Sequence, residues 1–153
     1  AEGLKQILDN FPECSILLPL HKNQRVREPI KKILNNHPRA ILTEPLDYCD
    51  LVSAIQACTL LLTDSGGLQE EAPALGKPVL VLRDTTERPE AIEAGTAKLI
   101  GTEANNIFMQ TSLLLNNKSN YDSMAKAKNP FGDGNSRFKI LEACLKMLNQ
   151  VKV

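Results

Sequence analysis

Thr63-Asp64-Ser65-Gly66-Gly67-Leu68-Gln69-Glu70-Glu71-Ala72-Pro73 is the stretch whose reading decides the fold. Leu60, Leu61 and Leu62 precede it as a short apolar run of buried-strand type, and Leu68, Ala72 and Leu75 continue it at helical spacing. The order is strand, glycine turn, helix. A second apolar run, residues 79–82, leads through Arg83-Asp84-Thr85-Thr86-Glu87-Arg88 into a further helix starting at Pro89, where proline suits a first turn. Two strand-to-helix turns are therefore expected side by side. Gly66 and Gly67 have no side chains, so a ligand can approach their N–H groups closely, at a helix end carrying roughly half a unit of positive charge. A phosphate fits such a place, and Ser65 adds a hydroxyl donor; hydrogen bonds to charged groups contribute about 1.5–3 kcal/mol each. Glu71, one turn further on, would repel phosphate and instead suits sugar hydroxyls. Together they fit a nucleotide, although Asp-Ser-Gly-Gly taken alone is also an ordinary turn composition.

Outward from this stretch the same alternation recurs. Residues 15–20 and 40–43 read as strands, with Pro19 favouring a strand terminus. Val26, Ile30, Ile33 and Leu34 mark a helix between them, stopped by Asn35-Asn36-His37-Pro38, and Leu51, Ile55 and Cys58 mark the helix before Leu60. With residues 79–82 and 97–100 as further strands, the pattern is α/β, a doubly wound parallel sheet. Ligands of such sheets bind beyond the carboxyl ends of the strands. His21, the Pro45 turn, residues 65–67 and residues 83–88 all stand at such ends. Leu4, Ile7 and Leu8 suggest a short opening helix, and residues 107–115, 121–127 and 137–148 read as helices, the last two separated by Asn129-Pro130-Phe131-Gly132-Asp133-Gly134.

Composition bounds the function. The 153 residues, 42% hydrophobic, suffice for one domain with a real core. Eighteen basic and eighteen acidic residues are interspersed at zero net charge, which advertises no surface for nucleic acid or for an anionic membrane. Apolar runs are of strand length, so neither a membrane span nor a signal peptide is expected, and the reading is cytoplasmic. Cys14, Cys49, Cys58 and Cys144 are scattered, with only His21 and His37 as imidazole ligands, so free packed thiols are expected and no metal site. The start at Ala1, without an initiator methionine, suggests an excised portion of something longer.

The string from Thr63 to Pro73, then Gly76-Lys77-Pro78-Val79-Leu80-Val81-Leu82-Arg83-Asp84-Thr85-Thr86-Glu87-Arg88-Pro89-Glu90, then Glu93-Ala94-Gly95-Thr96, closely resembles the C-terminal half of the non-hydrolysing UDP-N-acetylglucosamine 2-epimerases. The resemblance covers nearly the whole chain. It implies the C-terminal half of a two-domain glycosyltransferase B architecture, with residues 1–153 as its UDP-binding Rossmann-like domain and the preceding domain absent. It further implies that Ser65, Gly66 and Gly67 hold the diphosphate, Glu71 the ribose and Arg88 the phosphates. Leu46 and Leu51 would meet the uracil, partly through backbone groups, and His21 would touch the diphosphate and take part in catalysis. Here the local string is His21-Lys22-Asn23, where other members carry His-Arg-Arg-Glu-Asn, so Lys22 and Asn23 need not share those roles.

The implied reaction interconverts UDP-GlcNAc and UDP-ManNAc by loss of the C2 proton, elimination of UDP and its readdition, with neither metal nor cofactor. The carboxylates handling the C2 proton would belong to the missing N-terminal domain. The complete protein would be a homodimer serving cell-surface polysaccharide biosynthesis, and this chain alone would bind UDP weakly and turn over little or nothing. The alternatives are a UDP-sugar glycosyltransferase domain of the same architecture and a non-catalytic nucleotide-sugar-binding module.

Overall fold

The computed structural model describes residues 1–150. Its elements are α1 (Glu2–Asn10), β1 (Ile16–Pro19), α2 (Gln24–Leu34), β2 (Ala40–Thr43), α3 (Tyr48–Ala57), β3 (Leu61–Thr63) and α4 (Gly66–Ala74). They continue with β4 (Val79–Val81), α5 (Pro89–Glu93), β5 (Ala97–Leu99), α6 (Ala104–Asn116), α7 (Lys118–Ala125) and α8 (Ser136–Gln150). Strands and helices alternate as the sequence pattern requires, and every strand pair is parallel.

The order in the larger sheet is β3-β4-β5. Central β4 is apolar throughout because both of its faces are covered, and each side chain has an assigned side. Leu80 packs with Ile7 of α1, Phe11, Ile100, and Ile107 and Leu114 of α6. Val79 and Val81 turn the other way, to Ile55 of α3, Ala72 of α4, Ala91 of α5 and Ala97. The period of two along β4 thus builds a three-layer core, helix, sheet and helix. Gly3 sets how closely α1 approaches α6: a Cβ there would stand 2.9 Å from both the Ala104 carbonyl oxygen and Ile107 Cβ.

The doubly wound sheet differs from the expectation in one respect. β1 and β2 form a hydrogen-bonded ladder of their own, in register Ile16↔Ala40 to Pro19↔Thr43, separate from β3-β4-β5. On one face of it the paired Leu17 and Ile41 remain exposed. α3, the helix that follows β2, places Ile55 in the core of β3-β4-β5. Arg39 joins the small ladder to α1, donating from Nη1 to the carbonyl oxygens of Phe11 and Cys14, both at 2.7 Å. The cysteines are free, but Cys49 and Cys144 are exposed, against the expectation that all four are packed. Burial raises the thiol pKa of Cys58 and of Cys14. No helix among the described residues is long and apolar enough to cross a membrane.

Residues 136–149 of α8 are exposed, with Phe138, Leu141, Leu145 and Leu148 on a single stripe. Leu80 and Ile41 make a direct test of the core. Leu80→Ala is expected to cost about 3 kcal/mol in urea unfolding, and Ile41→Ala less than about 0.5 kcal/mol, because only the first leaves a cavity.

Candidate nucleotide-binding site

The parallel pairing of β3 with β4, Leu61↔Val79 to Thr63↔Val81, sets the turn after β3 beside the loop after β4. Thr63, the last residue of β3, is buried, and its Oγ1 accepts the Ser65 N–H at 3.0 Å. That bond fixes the turn from which α4 starts. Ser65 is the N-cap in extended conformation but makes no side-chain capping bond, so its hydroxyl does not occupy the first-turn N–H groups of Gly66 and Gly67. Those donors, with the helix dipole behind them, form an anion seat.

Gln69 holds the seat to the neighbouring loop. It is completely buried, its Nε2 donates to the Ser65 carbonyl oxygen at 3.3 Å, and its Oε1 accepts from Thr86 Oγ1 at 2.6 Å. Thr86 Oγ1 in turn accepts the Arg88 N–H at 3.0 Å. One amide therefore sets the relative position of the glycine turn and of Arg88. Sequence reasoning did not single it out, because a glutamine beside two glutamates on a helix reads as surface.

The acids of this region have different fates. Glu70 pairs with Arg88 Nε, whose guanidinium also donates to the Glu87 carbonyl oxygen at 3.1 Å. The Glu70 bond raises the already high pKa of Arg88. Glu87 pairs with Arg83 at 2.8 Å. Glu71 Oε2 is buried with no hydrogen-bond partner, the one carboxylate oxygen among the described residues left in that state. An orphaned buried acceptor is costly and points to a donor supplied from outside.

On the small ladder, His21 lies just beyond β1 and is exposed, with Nδ1 accepting the Asn23 N–H at 3.1 Å. In the neutral ring this puts the proton on Nε2, which is left as a donor. Asn23 caps α2 by accepting the Arg25 N–H. Leu46 is half-buried in the turn after β2, whereas Leu51 sits within α3 and packs on the Ile55 cluster. That turn is braced from α2, because both terminal guanidinium nitrogens of Arg27 donate to the Glu44 carboxylate, one of them at 2.8 Å. The structure thus sets Ser65, Gly66 and Gly67 at the start of α4, with Glu71 in its second turn, beside the loop that carries Arg88. His21 and Leu46 stand beyond β1 and β2, and Leu51 lies in α3 against the core of β3-β4-β5.

A family model described as UDP-N-acetylglucosamine 2-epimerase matches residues 1–145. The chain belongs to the UDP-N-acetylglucosamine 2-epimerase family. It is 47% identical over 141 residues to the UDP-N-acetylglucosamine 2-epimerase of Escherichia coli K12, covering 92% of this chain and 38% of that one. A probable UDP-N-acetylglucosamine 2-epimerase of Ralstonia nicotianae is 48% identical over 92% of this chain and 38% of its own length. Among solved epimerase structures, that from Neisseria meningitidis bound to UDP-GlcNAc superposes with a TM-score of 0.86 at 46% identity, over 95% of this chain and 40% of that one. The S. aureus MnaA–UDP co-structure gives 0.92 at 41% identity, over 99% and 42%. The α/β fold with parallel sheets is therefore the fold of the epimerase family. The chain spans about two fifths of the length of these relatives.

Two consequences are measurable. Gln69→Leu leaves the Ser65 carbonyl and the Thr86 hydroxyl without their partner and is expected to cost about 2 kcal/mol in chemical denaturation. The hydrogen bonds from Arg27, with the nearby charges of Arg27, Lys31 and Lys22, hold the Glu44 carboxyl below its usual pKa of 4.5. A depressed folded-state pKa means a stabilisation complete above about 4.5 and lost as pH falls through the folded value. Wild type should therefore exceed Glu44→Gln in stability near neutrality, and the difference should disappear in acid, read as unfolding midpoints across pH.

Proposed function

We propose that residues 1–153 are the UDP-binding half of a non-hydrolysing UDP-N-acetylglucosamine 2-epimerase. The observation that carries this reading is the pairing, within one turn of α4, of an anion seat at Gly66 and Gly67 with the partnerless carboxylate oxygen of Glu71. Diphosphate on the first and ribose hydroxyls on the second use the donors and the acceptor that the chain leaves free. The structures of relatives titled as bound to UDP or UDP-GlcNAc support the same ligand class. Leu46, with the backbone of its turn, and Leu51 meet the uracil; Arg88 exchanges Glu70 for the phosphates.

In the reaction proposed for the whole protein, a carboxylate outside this chain takes the proton from C2 of the sugar. The C1–O bond then breaks, its electron pair passing to the β-phosphate of the leaving UDP and a C1=C2 double bond forming. Readdition of UDP at C1, with proton delivery to the opposite face of C2, gives the epimer. The seat at Gly66 and Gly67 acts where charge grows on the leaving diphosphate, in the manner of an oxyanion hole. His21, with its proton on Nε2, donates to the same diphosphate. The exposed stripe Phe138, Leu141, Leu145 and Leu148 of α8 supports a larger protein in which a second domain covers it and completes the cleft. Soluble nucleotide-sugar chemistry in the cytoplasm, in a homodimer of the complete protein, completes the reading.

Calorimetric titration with UDP, uridine and ADP tests it. UDP should bind in preference to ADP. Glu71→Ala should weaken UDP and uridine alike, by about tenfold or more, and Arg88→Ala should weaken UDP far more than uridine. Equal loss of both ligands in Arg88→Ala would remove its phosphate role, and no preference for UDP over ADP would remove the uracil site.

A further inference from the structure

Glu87 belongs to the loop after β4, yet its carboxylate lies against the first residue of α4. A Cβ built on Gly66 would stand 2.5 Å from Glu87 Oε1 and 3.4 Å from its Cδ. The carboxylate end of Glu87 thus occupies the space that a side chain at residue 66 would take, and any such side chain would push it aside. The other oxygen, Oε2, accepts from Arg83 Nη1 at 2.8 Å. Glu87 is 51% exposed and Arg83 40%, so this ion pair contributes little to stability, and folding gives no strong reason for the arrangement. What the arrangement does is place a negative charge at the positive end of α4, where Ser65 supplies no cap.

We propose that Glu87 is a resident anion guarding the diphosphate seat. In the empty site its carboxylate rests on the mouth of α4 and keeps Arg83 neutralised. An incoming diphosphate displaces the carboxylate and takes over Arg83 as a partner. The proposal rests on the nucleotide reading given above and adds to it a residue that sets affinity by opposing the ligand. Two like charges about 4 Å apart at a solvated surface repel enough to change affinity by roughly five- to tenfold. Uridine carries no phosphate and leaves Glu87 where it is, so the residue discriminates by charge: it weakens phosphate-bearing ligands and is silent to the nucleoside. Its charge also opposes stray anions at the empty seat, while the first-turn N–H groups stay free for the diphosphate.

The test is calorimetric titration of the wild-type chain, Glu87→Gln and Glu87→Ala with UDP, inorganic pyrophosphate and uridine. Glu87→Gln keeps the shape and removes the charge. It should tighten UDP and pyrophosphate about five- to tenfold and leave uridine within twofold of wild type, and Glu87→Ala should do the same. UDP binding Glu87→Gln no more tightly than wild type would overturn the proposal, as would an equal gain for uridine. A gain confined to Glu87→Ala would assign the effect to bulk and overturn the electrostatic guard. Failure of UDP to bind all three proteins would overturn the nucleotide reading itself, and the guard with it, an outcome distinct from equal binding by all three. Arg83→Ala serves as the complementary variant, expected to weaken UDP and pyrophosphate while sparing uridine.

Discussion

A primary amide sealed in the core between two loops is the constraint from which the site follows. Gln69 cannot leave either end unsatisfied without a cost of the order of a hydrogen bond to a buried group, so its carbonyl fixes Thr86 and its amino group fixes Ser65. Parallel pairing of β3 and β4 brings the two loops within reach, but pairing alone leaves them free to splay. The amide removes that freedom. The glycine turn and the arginine loop then behave as one rigid rim, which is what preorganised recognition of a diphosphate requires.

Around that rim the charges are arranged so that each arginine is already matched. Arg88 rests on Glu70 and Arg83 on Glu87, whereas Glu71 has an oxygen with no partner. The surface is thus close to neutral in itself, in keeping with a chain whose basic and acidic residues balance. In the proposed reading, selectivity for an anion would arise from backbone donors and from arginines that change partners. Such pairs on an exposed surface are weak, so exchanging one for a phosphate is inexpensive. The Arg27–Glu44 pair on the other ladder has the opposite character: the Arg27 side chain is nearly buried, and it serves to hold the turn that carries Leu46.

How much of this was legible depends on whether the cause was local. The short apolar runs became strands within one residue of their expected bounds because their lengths and flanking turn residues are local signals; β2 alone spans the same residues, 40–43, in both readings. The glycine turn was legible as the start of a helix because a strand-turn-helix pattern is a local signal. The separation of β1-β2 from β3-β4-β5 was not, since which parallel strands meet is decided by long-range packing that no local pattern carries. Gln69 was hidden because Gln69, Glu70 and Glu71 are equally polar, and only the fold says that the first is completely buried, the second is paired and the third has an oxygen without a partner. Glu87 was readable as a loop acid but not as the occupant of a neighbouring helix end, because the contact with Gly66 joins residues 21 positions apart.

The close fit of α1 against α6, with Gly3 under Ala104 and Ile107, also has a meaning in time. The two helices meet across about a hundred residues of chain, a loop whose closure costs roughly 4 kcal/mol of entropy. On a ribosome adding about 5–20 residues per second, α1 waits on the order of ten seconds for its partner. During that wait Ile7 has no α6 to cover it, and β4 lacks the lid over Leu80. The half-built sheet is then the species most open to association with other nascent chains, and nucleotide bound at the far edge of the strands would not shield it.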